Sequence, residues 1–124
     1  TVGVLGLTFK PNTDDMRDAP SLAIVQALED AGAKVVAYDP EGMDVAAPMM
    51  PGVTMAGSAY EAASGADALV LVTEWDAFRA LDLKRLAGSM SAPVLVDLRN
   101  IYPVAEAEAA GFTVTRVGGK GSAA

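Results

Sequence analysis

A chain of 124 residues is one domain of ordinary size, and its hydrophobic fraction of 52% is enough for one buried core. Its net charge of −7 makes nucleic acid and anionic lipid poor partners, and no apolar run reaches the roughly 18 residues a membrane span needs. With no cysteine and no histidine, the chain has no disulfide, no thiolate or imidazole metal ligand and no thiol nucleophile of its own.

Val2 to Leu7 is a continuous apolar run punctuated by Gly3 and Gly6, the pattern of a strand buried on both faces. It has no basic leader and does not read as a signal peptide. A chain that opens directly on a core strand reads as a domain separated from something upstream. Residues 8–18 are polar and rich in turn formers, hence a loop. Pro20 then opens a helix whose apolar face carries Leu22, Val25, Leu28 and Ala31, and Gly32 ends it. Lys34 to Asp39 is a second strand, stopped by Pro40. Residues 41–57 predict an irregular or partly helical connection with a short strand at Val53 to Met55. Ser58 caps a short helix, with Glu61 completing a capping box. Ala68 to Thr73 is the clearest buried strand. Short helices follow at Asp76 to Ala80 and Leu83 to Ala87. Pro93 to Asp97 is a strand, Pro103 to Ala110 a helix, and Phe112 to Val117 a last strand. The Gly, Ser and Ala residues that close the chain read as a flexible tail.

About six strands alternating with helices predict an open, mostly parallel, Rossmann-like α/β sheet covered on both faces. Ligands in such sheets bind beyond the carboxyl ends of the strands, near the point where strand order reverses. Chemistry is therefore expected at residues 8–17, at Asp39, at 73–76 and at 97–102. The first turn, Gly6-Leu7-Thr8-Phe9-Lys10, is not the G-x-G-x-x-G turn that feeds a dinucleotide pyrophosphate to a helix N-terminus. Without that turn, Asp39 reads as a solvated strand-end carboxylate rather than as a ribose-binding acid. Lys10 and Arg17, taken alone, read as loop cations pairing with Asp14, Asp15 and Asp18. Arg99, taken alone, reads as an ion-pair partner of Asp97 that ties down the strand end, if the strand continues that far and alternation puts both on one face. Trp75, the only tryptophan, reads as packing across the sheet edge.

Four blocks carry a resemblance. Gly6-Leu-Thr-Phe-Lys-Pro-Asn-Thr-Asp-Asp-Met-Arg-Asp-Ala-Pro-Ser21 is similar to the sequence that opens the carboxy-terminal domain of the UDP-glucose/GDP-mannose dehydrogenase family. Ala37-Tyr-Asp-Pro40, Thr73-Glu-Trp-Asp-Ala-Phe78 and Val96-Asp-Leu-Arg-Asn-Ile-Tyr102 follow in the family's order. The last two blocks resemble the UDP-glucose 6-dehydrogenase members more than those acting on GDP-mannose or UDP-N-acetylmannosamine. The resemblance implies a nucleotide-sugar (UDP)-binding domain over residues 1–118 and a tail over residues 119–124. It implies that Phe9, Lys10 and Arg99 contact the substrate, UDP-glucose, and that Arg17 reaches NAD held by an amino-terminal domain. It further implies an amino-terminal NAD-binding domain and a central domain in the same polypeptide, a homo-oligomeric cytoplasmic enzyme, and a catalytic cysteine outside this chain. A UDP-sugar carries two phosphates, so an acidic domain must gather cations around them. Lys10 offers a point charge and Arg99 a planar fork. The fold alone would also permit a receiver-like binding module. A receiver needs an acceptor aspartate after its third strand, whereas Thr73 runs on into Glu74 and Trp75.

Overall fold

The computed structural model describes residues 1–8, 15–16 and 19–116. The tail expected over residues 119–124 lies outside the described residues. Strands β1 (Val2–Leu5), β2 (Val35–Tyr38), β3 (Thr54–Met55), β4 (Ala68–Leu71), β5 (Val94–Asp97) and β6 (Thr113–Arg116) form one six-stranded sheet in the order β3-β2-β1-β4-β5-β6. Every pairing is parallel. All the carboxyl ends therefore share one edge. The order runs outward from β1 to β3, then returns across β1 to β4, so the reversal lies between β1 and β4.

Strand alternation divides the core into two layers. Leu5, Leu69, Leu71 and Leu95 point to one face, where they meet α3 (Ala59–Ala63), α4 (Asp76–Arg79), α5 (Leu83–Ser89) and α6 (Val104–Ala109) through Ala62, Phe78, Leu86 and Ala107. Val4, Val35, Ala37 and Val70 point to the other face, where they meet α1 (Pro20–Asp30) and α2 (Met43–Ala46) through Val25 and Ala46. The central strands are covered on both sides, which is why β1 and β4 read as unbroken apolar runs.

The helix ends follow the sequence signals. Pro20 occupies the first turn of α1 after an extended Ala19. The Ser58 side chain caps α3 by accepting the Glu61 N–H at 3.1 Å. The return half of the capping box is displaced by one residue: Glu61 Oε2 accepts from the Gly57 N–H at 3.1 Å. The irregular connection after β2 contains α2 and a 3₁₀ turn at Ala47–Met49.

Gly6 marks the exit of β1. It takes a φ of +93°, and a methyl group added there would fall 2.5 Å from the Thr73 backbone nitrogen. The chain after β1 thus passes against the chain after β4 with no room for a side chain. Gly6→Ala should lower the unfolding free energy by about 2–4 kcal/mol in urea denaturation, through both the left-handed backbone and the overlap. Gly88→Ala in α5, where nothing lies within 4 Å of the added methyl, should be neutral or stabilise by up to about 1 kcal/mol.

Candidate functional site

The described residues at the carboxyl edge are organised around two buried aspartates. Asp39 directly follows β2 and has no solvent exposure. Its Oδ2 accepts from the Leu7 N–H at 2.7 Å, the Thr8 N–H at 3.2 Å, the Thr8 hydroxyl at 3.4 Å and Trp75 Nε1 at 3.3 Å. Its Oδ1 accepts from the Glu41 N–H at 2.9 Å and the Gly42 N–H at 2.7 Å. A carboxylate withdrawn from water is tolerated only with donors on both oxygens, and Asp39 has them. The solvated strand-end carboxylate expected from the sequence is therefore corrected. The donors that bury Asp39 come from the ends of β1 and β4 as well as from the residues just after it.

The Leu7–Thr8 segment is held from both sides. Its N–H groups bind Asp39. Its carbonyls accept from Ser21 Oγ at 2.5 Å, to Leu7, and from Thr73 Oγ1 at 2.7 Å, to Thr8. Gly42 leaves room for this arrangement, since a methyl group there would lie 2.4 Å from Thr8 Cγ2. Ser21 and Thr73 lie in the resemblance blocks and Gly42 outside them, but none of the three carries a charge, and the sequence analysis gave none of them a role. The Asp-Pro pair with a glycine two residues on was the available signal for a tight turn after β2.

Asp97 ends β5 and is also fully buried. Its Oδ1 accepts from the Arg99 N–H at 3.2 Å and its Oδ2 from the Tyr102 N–H at 2.9 Å. Asn100 turns the chain at a φ of 56°, a left-handed conformation that asparagine tolerates. The Arg99 side chain goes elsewhere: Nη2 donates to Glu74 Oε1 at 2.7 Å, with both side chains about one-third exposed. The expected Asp97–Arg99 pairing is thus replaced. Asp97 holds the Arg99 backbone, and Glu74 holds its guanidinium. Because β5 stops at Asp97, a turn and not strand alternation sets the relation of these residues.

Trp75 packs in the core as expected and adds its bond to Asp39. Of the expected site residues, Arg99 lies at the carboxyl edge after β5. Phe9, Lys10 and Arg17 lie outside the described residues. The described part does not fit a dinucleotide pocket. Asp39, at the position of a ribose-binding acid, is buried and occupied by protein donors. Gly6 is filled by the Thr73 backbone instead of facing a pyrophosphate. No group of three or more metal-ligating side chains occurs among the described residues.

A doubly wound parallel sheet with its ordered turns gathered at one edge defines a Rossmann-like α/β domain. The chain belongs to the UDP-glucose/GDP-mannose dehydrogenase family, whose UDP binding domain matches residues 3–104. It is 58% identical to the UDP-glucose 6-dehydrogenase of Rhizobium meliloti over 94% of this chain and 27% of that protein. It is 45% identical to the enzyme of the same name from Pseudomonas aeruginosa, over 95% of this chain and 27% of that protein. The chain thus spans about a quarter of the length of these relatives. Among solved structures, an NDP-N-acetyl-D-galactosaminuronic acid dehydrogenase from Methanosarcina mazei matches with a TM-score of 0.84 at 28% identity, over 98% of this chain and 25% of that one. A UDP-glucose dehydrogenase from Pyrobaculum islandicum matches with a TM-score of 0.73 at 28% identity, over 94% of this chain and 24% of that one.

The turn after β5 has its own pH signature. The Tyr102 hydroxyl donates to the Phe78 carbonyl. Burial first, and then the neighbouring Asp97 carboxylate, push the Tyr102 phenol well above its ordinary range. A raised folded-state value means that this stabilisation is complete below the unfolded value near 10 and is lost as pH rises beyond it. Tyr102→Phe should cost about 1 kcal/mol at neutral pH, and its deficit against the parent should shrink as denaturation is repeated above about pH 10.

Proposed function

We propose that this chain is the carboxy-terminal substrate domain of an NAD-dependent UDP-glucose 6-dehydrogenase, which oxidises UDP-glucose to UDP-glucuronate. The observation that carries the reading is the 58% identity to a UDP-glucose 6-dehydrogenase along nearly the whole chain. Residues 1–118 form the nucleotide-sugar-binding unit, and residues 119–124 are a tail. Phe9, Lys10 and Arg99 serve the substrate, and Arg17 serves NAD held by another domain of the same polypeptide. The full-length enzyme is a cytoplasmic homo-oligomer. No described helix is long and apolar enough to cross a membrane.

The oxidation removes two electron pairs from the sugar C6 carbon, from alcohol to aldehyde and from aldehyde to acid. NAD, when bound, supplies the oxidant for each stage, so two are consumed. This chain's residues bind and orient. Lys10 sets a point charge against a substrate phosphate, and Arg99 offers a planar fork already fixed by Glu74 and by the Asp97 turn. The chain has no cysteine, so the thiol nucleophile used at the aldehyde stage lies in the rest of the enzyme.

Two outcomes test this reading. The purified 124-residue chain should reduce no NAD with UDP-glucose in a spectrophotometric assay, while the full-length enzyme should do so and prefer UDP-glucose to GDP-mannose and UDP-N-acetylmannosamine. Turnover by the chain alone would mean that the chemistry lies within it.

In the full-length enzyme, Lys10→Ala and Arg99→Ala should raise KM for UDP-glucose roughly ten- to a hundredfold with a much smaller change for NAD. Arg17→Ala should show the opposite bias. The two substrates must be varied separately, because a KM is a binding constant only where chemistry is slow. Equal damage to both substrates by all three variants, with lowered melting temperatures, would instead mark these residues as structural.

A further inference from the structure

Asp39 is not among the residues assigned to substrate or cofactor, yet it joins three turns of the carboxyl edge. From the end of β2 it takes the N–H groups of Leu7 and Thr8, the last described residues before Phe9 and Lys10 in the sequence. It takes the N–H groups of Glu41 and Gly42. It takes the indole N–H of Trp75, whose neighbour Glu74 holds the Arg99 guanidinium at 2.7 Å.

We infer that Asp39 is a positioning residue for the nucleotide-sugar site, fixing the Leu7–Thr8 segment after β1 directly and the Glu74–Arg99 pair through the Trp75 indole. The inference rests on the proposed function. Its physical basis is the number and spread of the donors. A buried carboxylate with both oxygens engaged cannot shift one turn without leaving a donor or an acceptor unpaired in the core. Leu7–Thr8, Glu41–Gly42 and Trp75 are therefore fixed relative to one another before any ligand arrives. A ligand at this edge meets a frame that is already ordered, and a loss of that order appears as weaker binding.

Asp39→Asn places an amide NH₂ against a backbone donor on one side of the carboxyl group, whichever way the amide is turned. Trp75→Phe is milder: it removes the indole N–H and leaves the remaining donors on Asp39. UDP binding to the full-length enzyme is measured by titration calorimetry, with KM for UDP-glucose and for NAD measured in parallel. Kd for UDP should rise about tenfold in Asp39→Asn and about threefold in Trp75→Phe, with KM for NAD within about twofold of the parent. Leu86→Ala, a core change in α5 that removes no bond to Asp39, serves as the control for plain destabilisation. It should lower the melting temperature and leave Kd for UDP unchanged.

A second readout is the fluorine NMR signal of 5-fluorotryptophan at residue 75, assigned by its loss in Trp75→Phe. Added UDP should shift it in the parent and shift it less in Asp39→Asn. Should Asp39→Asn fail to fold, Trp75→Phe decides the matter. Parental Kd in the folded fraction of the variants, with reduced stoichiometry or melting temperature alone, overturns the inference and leaves the function standing. A parent enzyme that turns over UDP-glucose but has no UDP affinity sensitive to Lys10→Ala or Arg99→Ala overturns the reading of the site, and the inference with it.

Discussion

The carboxyl edge of this sheet depends on the burial of Asp39. An aspartate with no access to water has lost its hydration and must recover it from protein donors. The donors that surround it come from Leu7, Thr8, Glu41, Gly42 and Trp75, so the demand of one side chain is met only when three turns are folded together. Close approach makes the same requirement. Gly6 lies against Thr73 and Gly42 lies against Thr8, and neither contact leaves space for a β-carbon. Hydrogen bonding and sterics thus fix the same geometry independently.

Asp97 repeats the device on the other half of the sheet. Each aspartate stands at a strand end, is fully buried, and accepts the N–H of the residue two positions on: Glu41 for Asp39, Arg99 for Asp97. Each also reaches further, to Gly42 and to Tyr102 respectively. An aspartate side chain that binds backbone just ahead of itself offers the chain a turn in place of further strand. The two strands flanking the central pair, β2 and β5, are therefore stopped by the same chemistry. The difference lies in the partners. Asp39 binds across the sheet to β1 and β4, whereas the bonds of Asp97 described here stay within its own turn and leave the Arg99 guanidinium to Glu74 on the neighbouring strand end.

The architecture was legible in the sequence because it rests on local periodicity. The apolar runs of β1, β4 and β5, Pro20 at the start of α1, and Ser58 with Glu61 at α3 each act within a few residues. The site was less legible because its bonds span long separations. Asp39 is 32 residues from Leu7 and 36 from Trp75, and nothing near it in sequence reveals that either indole or backbone donors will close over it. The Arg99 contact was hidden for a different reason. An Asp97–Arg99 pair required the strand to continue, but β5 ends at Asp97 and the turn redirects the arginine toward Glu74, 25 residues earlier. The resemblance implied ligand contacts for Phe9, Lys10, Arg17 and Arg99 and said nothing of the residues that hold the frame.

That division bears on how one fold serves two tasks. A Rossmann-type sheet binds a dinucleotide by leaving the glycine turn and the strand-end acid open to it. Here the turn after β1 is packed against Thr73, and the acid after β2 is consumed by protein donors. The edge that would receive a cofactor is instead braced from within, and among the described residues the Arg99 cation lies beyond the brace, steadied by Glu74 at the partly exposed rim. A domain of net charge −7 has few cations to bring to an anionic ligand. Arg99 is held by Glu74 and by the turn at Asp97, so its ordering is not left to a binding event.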